Sequence, residues 1–261
     1  MCPARILLVD DNRVNRKLLA AVLEADGHRV DEASSGREAV DGVRLLPYDL
    51  VLMDVQMKDM DGVEATTAIR ALGGRRGGIP IVAISGDIGD DIAQRCRDAG
   101  MNEYLTKPIN PDVLLRAVAA WARPREGVRV DGGSGKPGSP TTGFGGLTDH
   151  LSPAEFLSVI DDFSRASRHR MAEIRQAVAD GELDRARRAA HDLSGSAANL
   201  GLGGLSRAAQ ALEVASQAGD AEAIRRGLDD IPPALEKALA DLVARGKQAA
   251  AGAASSPGER S

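Results

Sequence analysis

Residues 48–55 read YDLVLMDV, a short apolar run that stops on an acid, Asp54. A run of this length and composition reads as a buried strand, and its terminal acid then stands at the sheet's edge rather than in its core. The same pattern occurs twice more. Residues 5–11, RILLVDD, close on Asp10 and Asp11, and residues 104–109, YLTKPI, set Lys107 just past another short strand. Two further strand segments, HRVDEA (28–33) and IPIVAIS (79–85), complete a set of five. Between and after them, helical spacing marks helices of about 13–25, 36–45, 62–71, 88–99 and 110–121. Strands alternating with helices imply right-handed crossovers and a doubly wound parallel sheet. Ligands bind such sheets outside the carboxyl ends of the strands. Three carboxylates gathered there suit a hard divalent cation such as Mg2+, and an ammonium beside them suits a phosphoryl oxygen.

This first part of the chain, residues 4–122, resembles a response-regulator receiver domain, and the resemblance implies a flavodoxin-like sheet of order 2-1-3-4-5. Asp54 matches the family's phosphoacceptor, Asp10 and Asp11 its metal-site acids, and Lys107 the lysine that precedes a proline. Ser85 matches the hydroxyl residue after the fourth strand, and Tyr104 the aromatic switch position. None of these motifs is specific alone; their joint order, each at its own strand end, carries the resemblance. Two departures concern the phosphate's lifetime. Lys58 stands where the family often has proline, and Gly86 and Asp87 follow Ser85 where it commonly has alanine and then varied residues.

At 261 residues the chain is long enough for two domains, each able to bury a core. A formal charge of −5 argues against a general nucleic-acid binder. Cys2 and Cys96 make no disulfide framework, no apolar stretch approaches the ~20 residues of a membrane span, and the N-terminus enters a strand at once. A cytoplasmic protein without nucleic-acid or membrane partners is expected. Trp121, on the last helix of the first domain, reads as a packing residue, and His28, His150 and His169 have no organised surroundings.

Residues 124–146, PREGVRVDGGSGKPGSPTTGFGG, lack either period and read as a Gly/Pro/Ser-rich flexible linker. Their GSGKP is no phosphate loop: Ser or Thr is missing after Lys136, and no strand precedes it. From Ser152 onward strand signals vanish. In ELDRARRAAHDLSGSAANL (182–200), Leu183, Ala186, Ala190, Leu193, Ala197 and Leu200 recur at steps of three and four, one buried seam of an antiparallel bundle. Further helices are expected at about 152–179, 203–217 and 220–245, the last kinked or restarted at Pro232–Pro233. The domains are therefore 1–123, a linker 124–146, a four-helix bundle 147–246 and a disordered tail 247–261.

His191 lies at the edge of that seam. Alone it would be an ordinary surface histidine, but Gly195, one turn later, costs helix stability and leaves no side chain over the imidazole. AHDLSGSAANLG (190–201) resembles the active helix of histidine-containing phosphotransfer (Hpt) domains, whose pattern is His-x-Leu-Lys-Gly-Ser followed by Leu-Gly. His191, Leu193, Gly195, Ser196, Leu200 and Gly201 match; Ser194 replaces the lysine. Arg187 and Arg188, at i−4 and i−3, are candidates to supply the missing charge, although RARR also reads as a solvated face.

Together the two resemblances imply a phosphorelay protein. A histidine kinase donates to Asp54 with Mg2+ bound by Asp10, Asp11 and Asp54, Lys107 and Ser85 hold the product, and His191 exchanges phosphoryl groups with this or another receiver domain. No nucleotide site is recognisable, so phosphorylation from ATP is not expected. The rival expectations are an interaction module with a docking bundle, a phosphate sink, and, weakest, a Mg2+-dependent hydrolase. No basic recognition helix follows the receiver, which disfavours a transcription factor.

Overall fold

The computed structural model describes residues 3–86, 90–122 and 150–254, which form two compact units. Through residue 122 the elements are β1 (Arg5–Val9), α1 (Arg13–Ala25), β2 (Arg29–Ala33), α2 (Gly36–Leu45), β3 (Leu50–Asp54), α3 (Gly62–Ala71), α4 (Gly74–Gly77), β4 (Ile81–Ser85), α5 (Asp90–Asp98), β5 (Glu103–Thr106) and α6 (Pro111–Trp121). The strands form one parallel sheet in the order β2-β1-β3-β4-β5, the order that the resemblance to a receiver domain implies.

β3 and β4 are buried at every residue, which is why they read as unbroken apolar runs rather than as alternating ones. Leu7, Val9, Val51, Met53, Ile81 and Ala83 pack with Ala39 and Val43 of α2, Ala65 and Ile69 of α3, and Cys96 of α5. The alternate set, Ile6, Leu8, Leu50, Leu52, Val82 and Ile84, is equally buried, so both faces of the sheet are covered. Each such side chain contributes roughly 1.5–3 kcal/mol of transfer free energy. Helix starts are set by local polar groups. Ser35 caps α2, Asp61 and Glu64 form a reciprocal capping box on α3, and Asn110 with Pro111 opens α6. The sequence pattern does not announce α4, a single turn between Gly73 and Gly78.

The second unit carries α7 (Pro153–Ala179), α8 (Leu183–Asn199), α9 (Gly203–Ala218) and α10 (Ala221–Ala254). Phe163, Ile174, Ala190, Leu193, Ala197, Leu212, Ile231 and Leu242 share its core. The expected seam of α8 is confirmed: Ala186, Ala190, Leu193, Ala197 and Leu200 are at most 1% exposed, and Leu183 packs against the core. α7 starts at a Ser152–Glu155 capping box, and α9 ends on Gly219, whose φ of 68° is the left-handed conformation that glycine adopts without strain.

The C-terminus needs correction. α10 runs without a break through Pro232 and Pro233 and continues to Ala254, past the tail boundary expected after Gly246. Alanine, the strongest helix former, dominates KQAAAGAA, and nothing in that stretch stops a helix already nucleated on the bundle. The expected linker at 124–146, Asp87 and the tail beyond Ala254 lie outside the described residues.

Candidate functional site: an acidic pocket at the strand ends and a histidine on α8

Strand register decides which charged residues meet. β1 and β3 are aligned Val9 to Met53, and β3 and β4 Asp54 to Ile84. Asp10 thus follows its strand level with Asp54, and Ser85 lies one residue beyond on β4. Ser85 pairs with Thr106 of β5, and its carbonyl accepts the Lys107 amide at 2.7 Å. Residues scattered over about a hundred positions arrive at one edge of one sheet.

The side chains converge there. Lys107 Nζ donates to Asp54 Oδ2 at 2.7 Å and reaches Asp10 Oδ2 at 3.3 Å. The Gln56 amide donates to Asp54 Oδ1 at 3.1 Å. Asp10, Asp54 and Ser85 are at most 3% exposed. Carboxylate oxygens of Asp10, Asp11 and Asp54 all lie within 4.8 Å of one another, a donor set that fits a hard divalent cation.

Electrostatics follow from this crowding. Burial pushes the Asp54 carboxyl well above the usual carboxylate range; Lys107 pulls it back, and the charge of Asp10 adds to the rise. Burial alone would lower Lys107, but Asp10 and Asp54 outweigh it and hold the ammonium above its ordinary pKa. Lys107 therefore remains a cation, held between two buried acids whose mutual repulsion a bound metal ion would relieve.

The loop after Asp54 is pinned by a glycine that the sequence reading did not single out. A Cβ on Gly62 would lie 2.2 Å from the Asp54 carbonyl oxygen, and the Gly62 amide bonds the Val55 carbonyl at 3.0 Å. The chain closes back on its own acceptor residue, and only glycine fits there. Lys58 lies exposed on this loop, and Asp59 beside it takes a φ of 67°. Tyr104 is 43% exposed on β5, away from the buried cluster but on the strand that leads to Lys107. Trp121, expected as a packing residue, is half-buried and donates from Nε1 to Glu103 at 2.5 Å.

On α8, His191 is 17% exposed. Its Nδ1 lies 2.9 Å from Oε1 of Glu213 on α9. Glu213 escaped the sequence reading because it is 22 residues away on another helix, with no motif around it. The only signal would have been that α8 and α9 form an antiparallel hairpin. Arg187 Nη1 reaches the same Glu213 oxygen at 4.0 Å, so this arginine does join the histidine's surroundings. Arg188 is exposed and lines a shallow depression with Arg185, Ser216 and Gly219; no contact ties it to His191. Gly195 is half-buried one turn beyond. Ser194 donates to the Ser206 carbonyl at 3.0 Å, so the residue replacing the usual lysine is engaged with α9. Asp192, next to the histidine, pairs with Arg170 of α7 at 2.7 Å.

Two family models match the chain. The response regulator receiver domain matches residues 6–119, and the Hpt domain matches residues 158–245. The chain is a receiver domain followed by an Hpt domain. These are the modules of two-component phosphorelay signalling; both are phosphoryl-transfer modules, and neither is a kinase domain. Residues of the receiver are 42% identical over 125 residues to hybrid signal transduction histidine kinase B of Dictyostelium discoideum, covering 44% of this chain and 6% of that protein. They are 40% identical over 119 residues to sensor histidine kinase GacS of Pseudomonas protegens, covering 45% of this chain and 13% of that protein. The chain therefore spans a small fraction of these curated relatives. A solved receiver domain, from sensor histidine kinase PA1611 of Pseudomonas aeruginosa PAO1, is 36% identical at a TM-score of 0.43. It covers 46% of this chain and 98% of that one, and is described with a magnesium ion coordinated in its active-site cleft. Among the described residues no helix is long and apolar enough to cross a membrane.

Proposed function

We propose that Asp54 and His191 are the two phosphoacceptors of a relay protein whose donor is a histidine kinase and whose His191 exchanges with this or another receiver domain. The observation that carries this reading is the buried Lys107–Asp54–Asp10 cluster, where an ammonium lies 2.7 Å from the carboxylate to be phosphorylated. An oxygen of Asp54 attacks the phosphorus of a donor phosphohistidine, and the N–P bond breaks with its electron pair returning to the donor imidazole. Lys107 and the Ser85 hydroxyl bind the oxygens of the phosphoryl group on Asp54. Mg2+ held by Asp10, Asp11 and Asp54 supplies positive charge against those oxygens when bound. Positioning and charge, rather than a separate base, carry such a step. Tyr104, exposed on β5, is the switch that reports phosphorylation to partners.

On the bundle, Arg187 brings positive charge to the Glu213 oxygen that His191 contacts, while Arg188 meets the partner at the exposed face and Gly195 leaves the approach to the imidazole open. We take 1–123 as the receiver and 147–246 as the Hpt bundle, with 124–146 between them, in a cytoplasmic protein that does not phosphorylate itself from ATP. A second reading, in which the bundle only docks partners, is favoured by one observation: Ser194 offers no charge where the family has lysine. One experiment separates the two. An Asp54→Asn chain mixed with a His191→Gln chain and labelled through acetyl phosphate should accumulate base-stable, acid-labile label on His191 by transfer between molecules. A His191 that stays unlabelled with its own receiver, and with a panel of foreign ones, leaves the bundle as a docking domain.

A further inference from the structure

We propose that Arg170 of α7 is a positioning residue for phosphoryl transfer at His191, acting through Asp192 by holding and balancing the carboxylate next to the phosphoacceptor in the chain. This role rests on the reading of His191 as a phosphoacceptor. When a receiver's aspartyl phosphate donates, a ring nitrogen of His191 forms the N–P bond with its lone pair. The P–O bond breaks with its electron pair on the aspartate carboxylate. No proton changes place, so the histidine's site gains one negative charge and the donor's site loses one. A carboxylate close by, with no cation against it, would raise the energy of that gain.

Two acids flank His191. Glu213 of α9 lies 2.9 Å from its Nδ1, and Asp192 is its neighbour on α8. An arginine stands against each. Arg187 Nη1 is 4.0 Å from Glu213 Oε1, and Arg170 Nη2 is 2.7 Å from Asp192 Oδ2. Ser194, where related domains carry lysine, adds no charge and spends its hydroxyl on the Ser206 carbonyl. Charge balance around the histidine therefore falls to these arginines, one from α8 and one from α7.

The Arg170 contact is the closer of the two. Both of its side chains are largely buried, at 15% and 19% exposed, so water and salt weaken it less than they weaken an exposed pair. Arg170 also donates from Nη1 to Glu173 at 3.0 Å, on its own helix, and this second bond fixes the plane of the guanidinium against Asp192. The next cation along this face, Arg185, is engaged elsewhere, 3.7 Å from Glu173 and 3.1 Å from Glu182.

The test uses full-length chains. Acetyl-phosphate-loaded His191→Gln is the donor, and every acceptor carries Asp54→Asn, so label reaches His191 only by transfer between molecules. Arg170→Met, which keeps an apolar stem and loses the charge, should lower the initial labelling rate roughly three- to tenfold against its parent at low ionic strength. Arg170→Lys should keep most of the rate. Arg170→Met combined with Asp192→Asn should return to within about twofold of the parent, and the Arg170→Met deficit should shrink as salt rises towards about 0.5 M. Asp192→Asn alone should label at least as fast as the parent. Backbone amide spectra check that each bundle is folded. A purely structural role would give a loss that neither the second substitution nor salt repairs. Arg170→Met labelling at the parent's rate, a double variant as slow as Arg170→Met, or a deficit unmoved by salt overturns the proposal. If Arg170→Met does not fold, an Asp192→Asn chain that labels more slowly than its parent overturns it. A parent His191 that never labels instead overturns the phosphoacceptor reading, and this role with it.

Discussion

Asp54 and His191 are set up by opposite routes. Asp54 meets Lys107 53 residues later in the chain, and Lys107 reaches back 97 residues to Asp10. His191 sits on one helix with its motif around it and takes one partner, Glu213, from the next. The first site comes into being only when four strands lie in register, and its charges are buried and mutually dependent. The second is half-built as soon as α8 forms, and its polar groups stay partly in water. A change in the receiver should therefore act close to all-or-none, whereas a change around the histidine should act by degrees.

The sharpest break of this comparison is at the receiver. Asp54→Asn should remove acyl-phosphate formation from acetyl phosphate, and EDTA or Asp11→Ala should lower it by at least about 100-fold, since the charge that offsets the phosphoryl oxygens is lost. Mass spectrometry that finds the label undiminished on another aspartate, or labelling unchanged in excess EDTA, would break the assignment of the acidic pocket.

Lys107→Ala should act next most strongly, and on stability as well as signalling. Removing one partner from a buried ionic cluster costs about 3 kcal/mol, because Asp10 and Asp54 then face each other without a cation. Thermal unfolding should show that loss in EDTA and its partial recovery in Mg2+. Phosphorylation should persist in part, but the accompanying NMR shifts around Tyr104 should vanish. A variant as stable as wild type without metal would mean the cluster is less dependent on its lysine than its burial implies.

The smallest effect belongs to the bundle. Ser194→Lys adds one partly exposed charge near His191, worth up to about 1 kcal/mol, so transfer to His191 should rise by roughly two- to fivefold. The gain is limited because the substitution also gives up the Ser194–Ser206 contact with α9. A rate that falls instead would show that this contact, not the missing charge, sets the geometry of the histidine.

Much of both sites was readable beforehand for a specific physical reason. A charged residue that ends a fully apolar strand has one place to go, so RILLVDD, YDLVLMD and the lysine of YLTKPI announced the pocket without any knowledge of their neighbours. His191 was marked by a costly helix glycine four residues on. Arg187 and Arg188 looked equivalent in the sequence; only Arg187 reaches Glu213, because successive helix positions point about 100° apart. Gly62 gave no local sign, since its need to be glycine comes from the Asp54 carbonyl lying against it. Residues 247–254 were misread as tail because composition alone does not say whether a helix is already nucleated upstream of an alanine-rich stretch.

The amino-acid order by itself determined the strand and helix alternation, the bundle seam and the identity of the charged groups at the strand ends, because these follow from local periodicity and from the cost of burying charge. Tertiary structure alone decided that Lys107 lies between Asp54 and Asp10, that Glu213 faces His191, and that Ser194 turns to α9. Those pairings depend on strand register and helix rotation to within a few ångströms. Hydrogen bonds and ion pairs are sensitive at that scale, and hydrophobic patterning is not.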